Sequence, residues 1–174
     1  MLLNYLMDPR TGLGRFRIFR SGNYTLMMDL IEYCRDHDID QILALTDVQE
    51  RFTIYFEHAE RAKGQIQRCA TIHKDLVVLD LRNEDTIWAT NRFMIYALFP
   101  QINISIHAMW GMQKKNTVLA VGESIIDRGS KTNVGDLMLQ YGGGGHIAAG
   151  SCQLENDLAE ATLHKLITRI NANG

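Results

Sequence analysis

The 174-residue sequence has no excess of charge of either sign: 18 lysines and arginines stand against 20 aspartates and glutamates, for a formal net charge of −2. That balance excludes a global electrostatic attraction to nucleic acid, so any affinity for phosphate must be local. Long apolar runs are missing too. The longest, Phe93 to Phe99, is far too short to span a bilayer, and the N-terminus lacks the basic-then-apolar order of a signal peptide. A cytoplasmic protein with no membrane partner is expected. Cysteine is sparse: Cys34, Cys69 and Cys152 are odd in number, scattered and without CxxC spacing, which favours reduced thiols over a disulfide or zinc framework. No repeat or low-complexity segment interrupts the chain. The remainder, 46% apolar and 22% charged residues, is an ordinary globular balance over a length sufficient to bury a core.

The first two-fifths read as helical. Asn23 is placed to act as an N-cap, and Leu26, Met27, Leu30, Ile31 and Cys34 form one face of the helix beyond it. Thr46-Asp47-Val48-Gln49 has the Thr-x-x-Gln form of a capping box. Beyond it, Val48, Phe52, Tyr55, Ala59, Ala62, Ile66 and Cys69 alternate spacings of four and three. With two alanines, a cysteine and Gly64 nearby, this stripe reads as a helix packed inside its own protein, a homodimer seam being the alternative. From about Asp75 the texture changes. Leu76 to Leu81 has a buried-strand pattern, and a helix is expected from Thr90 that stops before Pro100. Ile102, Ile104 and Ile106 alternate with Asn103, Ser105 and His107, placing one face on a core and the other toward solvent or a cleft, and Thr117 to Val121 can pair back. Ser151 to Leu154 adds a last strand, and Leu158, Thr162, Leu163, Leu166, Ile167 and Ile170 mark a covering helix. The expected fold is α/β: a helical segment over 1–73, then a mixed or mostly antiparallel β-sheet domain flanked by helices over 74–174.

The run Tyr141-Gly142-Gly143-Gly144-Gly145-His146-Ile147-Ala148-Ala149-Gly150 exposes bare backbone beside a titratable ring. Successive glycine N–H groups can turn inward as an anion-binding nest, a following helix N-terminus would add its positive dipole end, and His146 could donate to a phosphate oxygen. Four glycines alone equally describe a flexible surface turn. Upstream stand Ser124-Ile125-Ile126-Asp127-Arg128 and Thr132-Asn133-Val134-Gly135-Asp136-Leu137-Met138. Laid together over 124–154, these segments resemble the C-terminal domain of the DHH phosphoesterases. That family combines a serine-to-arginine segment, a short helix, a GGGGH loop with an AAG turn, and a final strand. In the family's commonest pattern the arginine lies two residues after the serine, whereas here Arg128 lies four after Ser124.

The resemblance implies one half of a two-domain, manganese-dependent hydrolase of phosphate esters, whose relatives act on short oligonucleotides, nucleotide bisphosphates, cyclic dinucleotides or polyphosphate. Residues 74–174 would be the substrate-binding domain, with Ser124, Arg128, Gly142, Gly143, Gly144, Gly145 and His146 holding phosphate and Arg92 a further candidate. Residues 1–73 would be the tail of the metal-binding domain and a connector helix, in keeping with an opening, Met1 to Met7, that is too apolar to begin an exposed chain comfortably. Asp8 matches a family metal ligand, although Pro9-Arg10 interrupts the usual Asp-Thr-Gly order, and the plain reading is a turn aspartate ahead of proline. The sequence contains no DHH tripeptide, and Asp36-His37-Asp38 reads as a solvated helix terminus. One carboxylate cannot hold two hard divalent ions, so manganese is not expected to bind this chain alone. The expected partners are a phosphate-containing nucleotide or short oligonucleotide and a separate metal-binding domain, and the chain alone is expected to be inactive. A stand-alone nucleic-acid-binding module related to the C-terminal domain of alanyl-tRNA synthetases is the alternative, against which the charge balance speaks. Arg10, Arg15, Arg17 and Arg20 form a dense basic patch that suits phosphate, but charge near a terminus is usually solvated. His107 reads as an exposed strand residue, and His37, His58, His73 and His164 as surface or boundary positions.

Overall fold

The computed structural model describes residues 2–7, 12–13 and 18–173, and they fall into two compact units, 1–65 with 86–94 and 66–85 with 95–174. In the first lie helices α1 (Leu2–Met7), α2 (Asn23–Asp36), α3 (Ile39–Leu43) and most of α4 (Thr46–Cys69). Leu26 and Leu30 of α2 are buried, whereas Met27 and Ile31 of the expected face are 39% and 62% exposed and Cys34 is exposed, so the packed stripe is narrower than the sequence implies. Gly22, not Asn23, takes the N-cap position of α2. Asn23 Oδ1 instead accepts from the guanidinium of Arg51, which also donates to Ser21 O at 2.7 Å and Asp47 O at 2.9 Å and lies over the Phe19 ring. Arg51 is wholly buried, and burial pulls its pKa down while Glu50 and Asp47 oppose the shift.

The capping box expected at Thr46 is not formed. Gln49 sends its side-chain amide to Leu43 O instead, and the reciprocal box is found at Asp38 and Gln41, which start α3. Asp36-His37-Asp38 is thus a helix exit followed by a cap, as its polarity suggests. The stripe of α4 is occupied within the chain: Val48, Phe52, Ala62 and Ile66 are buried. Residues 86–94 join the first unit because Gln65 donates to Thr86 O and accepts from Trp88 N, while Asn91 donates to Tyr5 Oη.

The second unit is built on a six-stranded mixed sheet. Its strands are β1 (Ala70–His73), β2 (Leu76–Asp80), β3 (Ile104–Trp110), β4 (Thr117–Glu123), β5 (Gly144–His146) and β6 (Ala149–Leu154), in the order β1-β2-β3-β4-β6-β5. Only β2 and β3 run parallel. The unit begins eight residues before the expected boundary at 74 because Ala70–His73 pairs with Leu76–Asp80. Between β2 and β3 the helix is shorter than expected: α5 covers Met94–Leu98, since the Asn91 side chain takes the Phe93 N–H in a local turn instead of letting a helix run from Thr90.

One face of the sheet carries Leu76, Val78, Ile104, Ile106, Leu119, Val121 and Cys152, covered by α6 (Val134–Leu139) and α7 (Asn156–Asn173). Ala159, Thr162, Leu163, Leu166 and Ile170 face that core, while Leu158, expected among them, is 55% exposed. Asn133 caps α6 by accepting the Asp136 N–H at 3.2 Å.

The glycine run departs from the expected nest. Gly142, at φ +72°, ends α6: its N–H donates to Leu139 O and that of Gly143 to Met138 O, the paired bonds of a Schellman motif. Those two donors are therefore spent on the helix end. The next element is strand β5, not a helix, so no helix dipole reinforces the loop. The run also differs residue by residue in what a side chain would meet. A Cβ at Gly143 would come 2.1 Å from Ser151 O and 2.7 Å from Cys152 Cβ, whereas one at Gly144 would meet nothing within 4 Å. Gly143→Ala is accordingly expected to destabilise the chain by about 2–3 kcal/mol, and Gly144→Ala by no more than about 0.5 kcal/mol. Urea unfolding of the two variants checks the contrast, and equal losses would contradict it.

Candidate phosphate-binding site

Register places the site. In paired strands, directly opposed residues share a face. One row across the sheet therefore reads Val77, Ser105, Gly122, Ala149 and His146, and the next reads Leu79, His107, Ala120, Ser151 and Gly144. This is the face opposite the α6 and α7 core. Toward β5 its side chains are small or polar: Ser151 and His146 are exposed, and His107, Ala120, Ala149 and Gly144 are half-buried. The cleft-facing set expected from the Asn103, Ser105, His107 alternation continues here onto three further strands. Beside it, Tyr96 of α5 bonds Ser105 Oγ at 2.8 Å and donates to Gly122 O at 2.5 Å, and burial pushes its phenol up to about 12.

His146 stands at the end of the first row, where a two-residue turn, Ile147-Ala148, joins β5 to β6. The ring accepts the Ala148 N–H at Nδ1 over 3.2 Å, so the neutral tautomer carries its proton on Nε2. A donor is thereby displayed at an exposed position. The turn is pinned from both sides, Val134 N–H donating to Ile147 O and Glu123 N–H to Ala148 O, each at 2.9 Å.

Ser124 is buried, and its Oγ accepts the N–H groups of Ile126 and Asp127, both at 3.1 Å. Asp127 Oδ1 in turn accepts from Gly129 N. Ser124 therefore shapes the loop that presents Arg128 rather than facing a ligand. Arg128 is exposed; burial raises the Glu123 pKa, and His146 and Arg128 both act to lower it. Glu123 is paired with Ile104 and so belongs to the α6 and α7 face, one residue out of step with the His146 row.

The remaining candidates lie elsewhere. Arg92 belongs to the first unit, where its guanidinium sits 4.4 Å from the Phe93 ring centroid. Arg20 is ion-paired with Asp47 at 2.8 Å. Asp8, Arg10, Arg15 and Arg17 lie outside the described residues. His58 is not a simple surface residue, for it packs edge-on against Trp88 and accepts the Ala89 N–H. A groove of about 560 Å³ formed by α7 and Tyr141 includes none of the site residues. Among the described residues no three His, Cys, Asp or Glu side chains are grouped to hold a metal ion. No described helix is long and apolar enough to cross a membrane.

The fold and its glycine–histidine turn are consistent with the C-terminal domain of a DHH-family phosphoesterase. A solved structure described as a pGpG-specific phosphodiesterase, PggH, from Vibrio cholerae is 58% identical, with a TM-score of 0.80 over 99% of this chain. The chain spans 58% of that protein's length. An exopolyphosphatase-related protein from Bacteroides fragilis is 15% identical, with a TM-score of 0.46 over 87% of this chain and 47% of that one. No family model and no curated protein matches the sequence.

Burial raises the Glu123 carboxyl above the ordinary 4.5, against the lowering influence of His146 and then Arg128. The fold thus favours protonated Glu123: its contribution to stability is fully present below pH 4.5 and is lost as pH rises through the raised native value. Glu123→Gln, which cannot ionise, is expected to be more stable than the parent at neutral pH, with the advantage closing as pH falls below 4.5. Unfolding midpoints across that range check the sign, and a pH-independent difference would refute it.

Proposed function

We propose that this chain supplies the substrate-binding half of a phosphoesterase acting on short 5′-phosphorylated oligonucleotides, with His146 and Arg128 holding the phosphate. The observation that carries the reading is the His146 ring, held by Ala148 with Nε2–H displayed over a face of small side chains. The 58% identical solved structure, described as a pGpG-specific phosphodiesterase, supports it. Imidazole and guanidinium are donors matched to phosphate oxygens. Gly144, where a side chain would meet only open space, leaves a bare stretch of backbone beside them.

Manganese in the full enzymes activates the attacking water. In this reading the chain contributes binding and positioning, and cleavage depends on a domain that would carry the metal ligands.

The test is a titration of the isotope-labelled chain with 5′-phosphorylated diguanosine, without metal, in the parent and in His146→Ala. Amide shifts are expected from Gly143 to His146, and loss of one charge-assisted bond should weaken binding by roughly 10- to 100-fold. An unperturbed loop in a folded chain would reject the reading. With manganese present, the chain alone is expected to release no product until the missing domain is supplied; robust hydrolysis by the pure chain would remove the two-part assignment.

A further inference from the structure

Gly144 is the one glycine of its run for which the fold gives no reason. Gly142 carries a positive φ, and side chains at Gly143 and Gly145 would strike β6, but a Cβ at Gly144 would meet nothing within 4 Å and its φ is not positive. A glycine inside a strand weakens it, and where no collision or turn explains the residue, close approach of a ligand is the remaining reason. Gly144 stands directly opposite Ser151. Opposed residues share a face, so the Cβ that Gly144 lacks is the one that would stand beside the Ser151 side chain.

Of the residues paired on this face, two carry hydroxyls, Ser105 and Ser151. Ser105 is buried, and its Oγ is bonded to Tyr96 Oη at 2.8 Å. Ser151 is exposed, and its Oγ has no hydrogen-bond partner among the described residues. Its cross-strand neighbours are Gly144 and Ala120, which offer a hydrogen and a methyl group and leave the hydroxyl open. His146 is its diagonal neighbour, because Gly144 pairs with Ser151 and His146 with Ala149. Diagonal positions on paired strands lie about 7 Å apart, a gap that long side chains and a small ligand close together. Nδ1 of His146 is occupied by the Ala148 N–H, which leaves Nε2–H to donate, and Ser151 adds a short O–H that rotates to suit. An oxyanion seated over Gly144 meets both donors.

We propose that Ser151 is a phosphate-binding residue: its hydroxyl and the Nε2–H of His146 hold the same terminal phosphate, which occupies the space left by the missing side chain of Gly144. This inference rests on the phosphoester reading above and deepens it, adding a second donor from the same strand pair and a function for the glycine. A terminal phosphate has three strong acceptor oxygens, so the two donors act on separate ones. The hydroxyl is neutral, so it fixes the position of the group while the charge is met elsewhere.

The experiment measures dissociation constants of the 174-residue chain, without metal, for diguanosine with and without its 5′-phosphate, in the parent, Ser151→Ala, Ser151→Thr, Gly144→Val and His146→Ala. Loss of one hydrogen bond to a charged group should weaken binding of the phosphorylated dinucleotide to Ser151→Ala by roughly 10- to 100-fold. Ser151→Thr, which keeps the hydroxyl, should stay close to the parent. The dinucleotide without a 5′-phosphate should bind the parent and Ser151→Ala equally weakly. Gly144→Val gives β5 a better strand former; it should fold and lose at least as much affinity as Ser151→Ala, because its side chain fills the phosphate's place. Parental affinity in Ser151→Ala or in Gly144→Val, with His146→Ala weakened, overturns the assignment and leaves the phosphoester reading standing. Equal losses in Ser151→Ala with and without the 5′-phosphate would put Ser151 on sugar or base and overturn it too. No binding of either dinucleotide to the parent defeats both readings.

Discussion

The site depends on Ala148. Its carbonyl accepts from Glu123 at the end of β4, and its N–H is taken by Nδ1 of His146 two residues earlier. One peptide thus joins the sheet to the imidazole and selects the tautomer the ring presents. The neighbouring carbonyl, of Ile147, receives the first N–H of α6. Behind the turn, a Cβ on Gly135 would lie only 3.1 Å from Gly145, which measures how closely the helix backs the strand. Strand, turn and helix hold the ring before any ligand arrives, and a donor positioned in advance need not pay to be ordered on binding.

The four glycines divide their work unevenly. Gly142 ends a helix through its positive φ, while Gly143 and Gly145 lie so close to β6 that side chains would collide with its backbone. These three make the fold. Gly144 has no such duty, because space is open where its Cβ would be. A motif that resembles a phosphate cradle is therefore mostly a device for turning a helix into an edge strand within a few residues, and its bare, ligand-facing part narrows to one position beside His146. Consumption of the Gly142 and Gly143 N–H groups by α6 is why the nest reading fails.

Period-two and period-four patterns carried most of the architecture. The isoleucine alternation at 102–106, the hairpin back through Val121, the short helix after Asn133 and the stripe of α4 all depend on local sequence reporting which face is apolar, and the structure follows them. Errors arose where a polar side chain had two backbone partners to choose between. Gln49 bonds Leu43 rather than closing a box at Thr46, and Asn91 forms a turn where a helix start was expected. Strand β5 was illegible for another reason: three residues of glycine and histidine have no strand propensity, and only pairing with Ala149–Ser151 makes them one. The motif itself singles out His146 and Arg128 as candidates, whereas the sharing of one sheet face by His146, Gly122 and Ser105 appears only once distant strands are paired.

Guanidinium and imidazole are donors that suffice to hold an oxyanion. His146 stands on the sheet face of small side chains, whereas Glu123, paired with Ile104, ends its strand on the α6 and α7 side. What ties the two chain segments together is backbone: Glu123 N–H donates to Ala148 O and Ser124 N–H to Asn103 O. The strand end thus fixes the turn that orients the imidazole without a side-chain contact, so residues on either face can be altered while the ring stays in place.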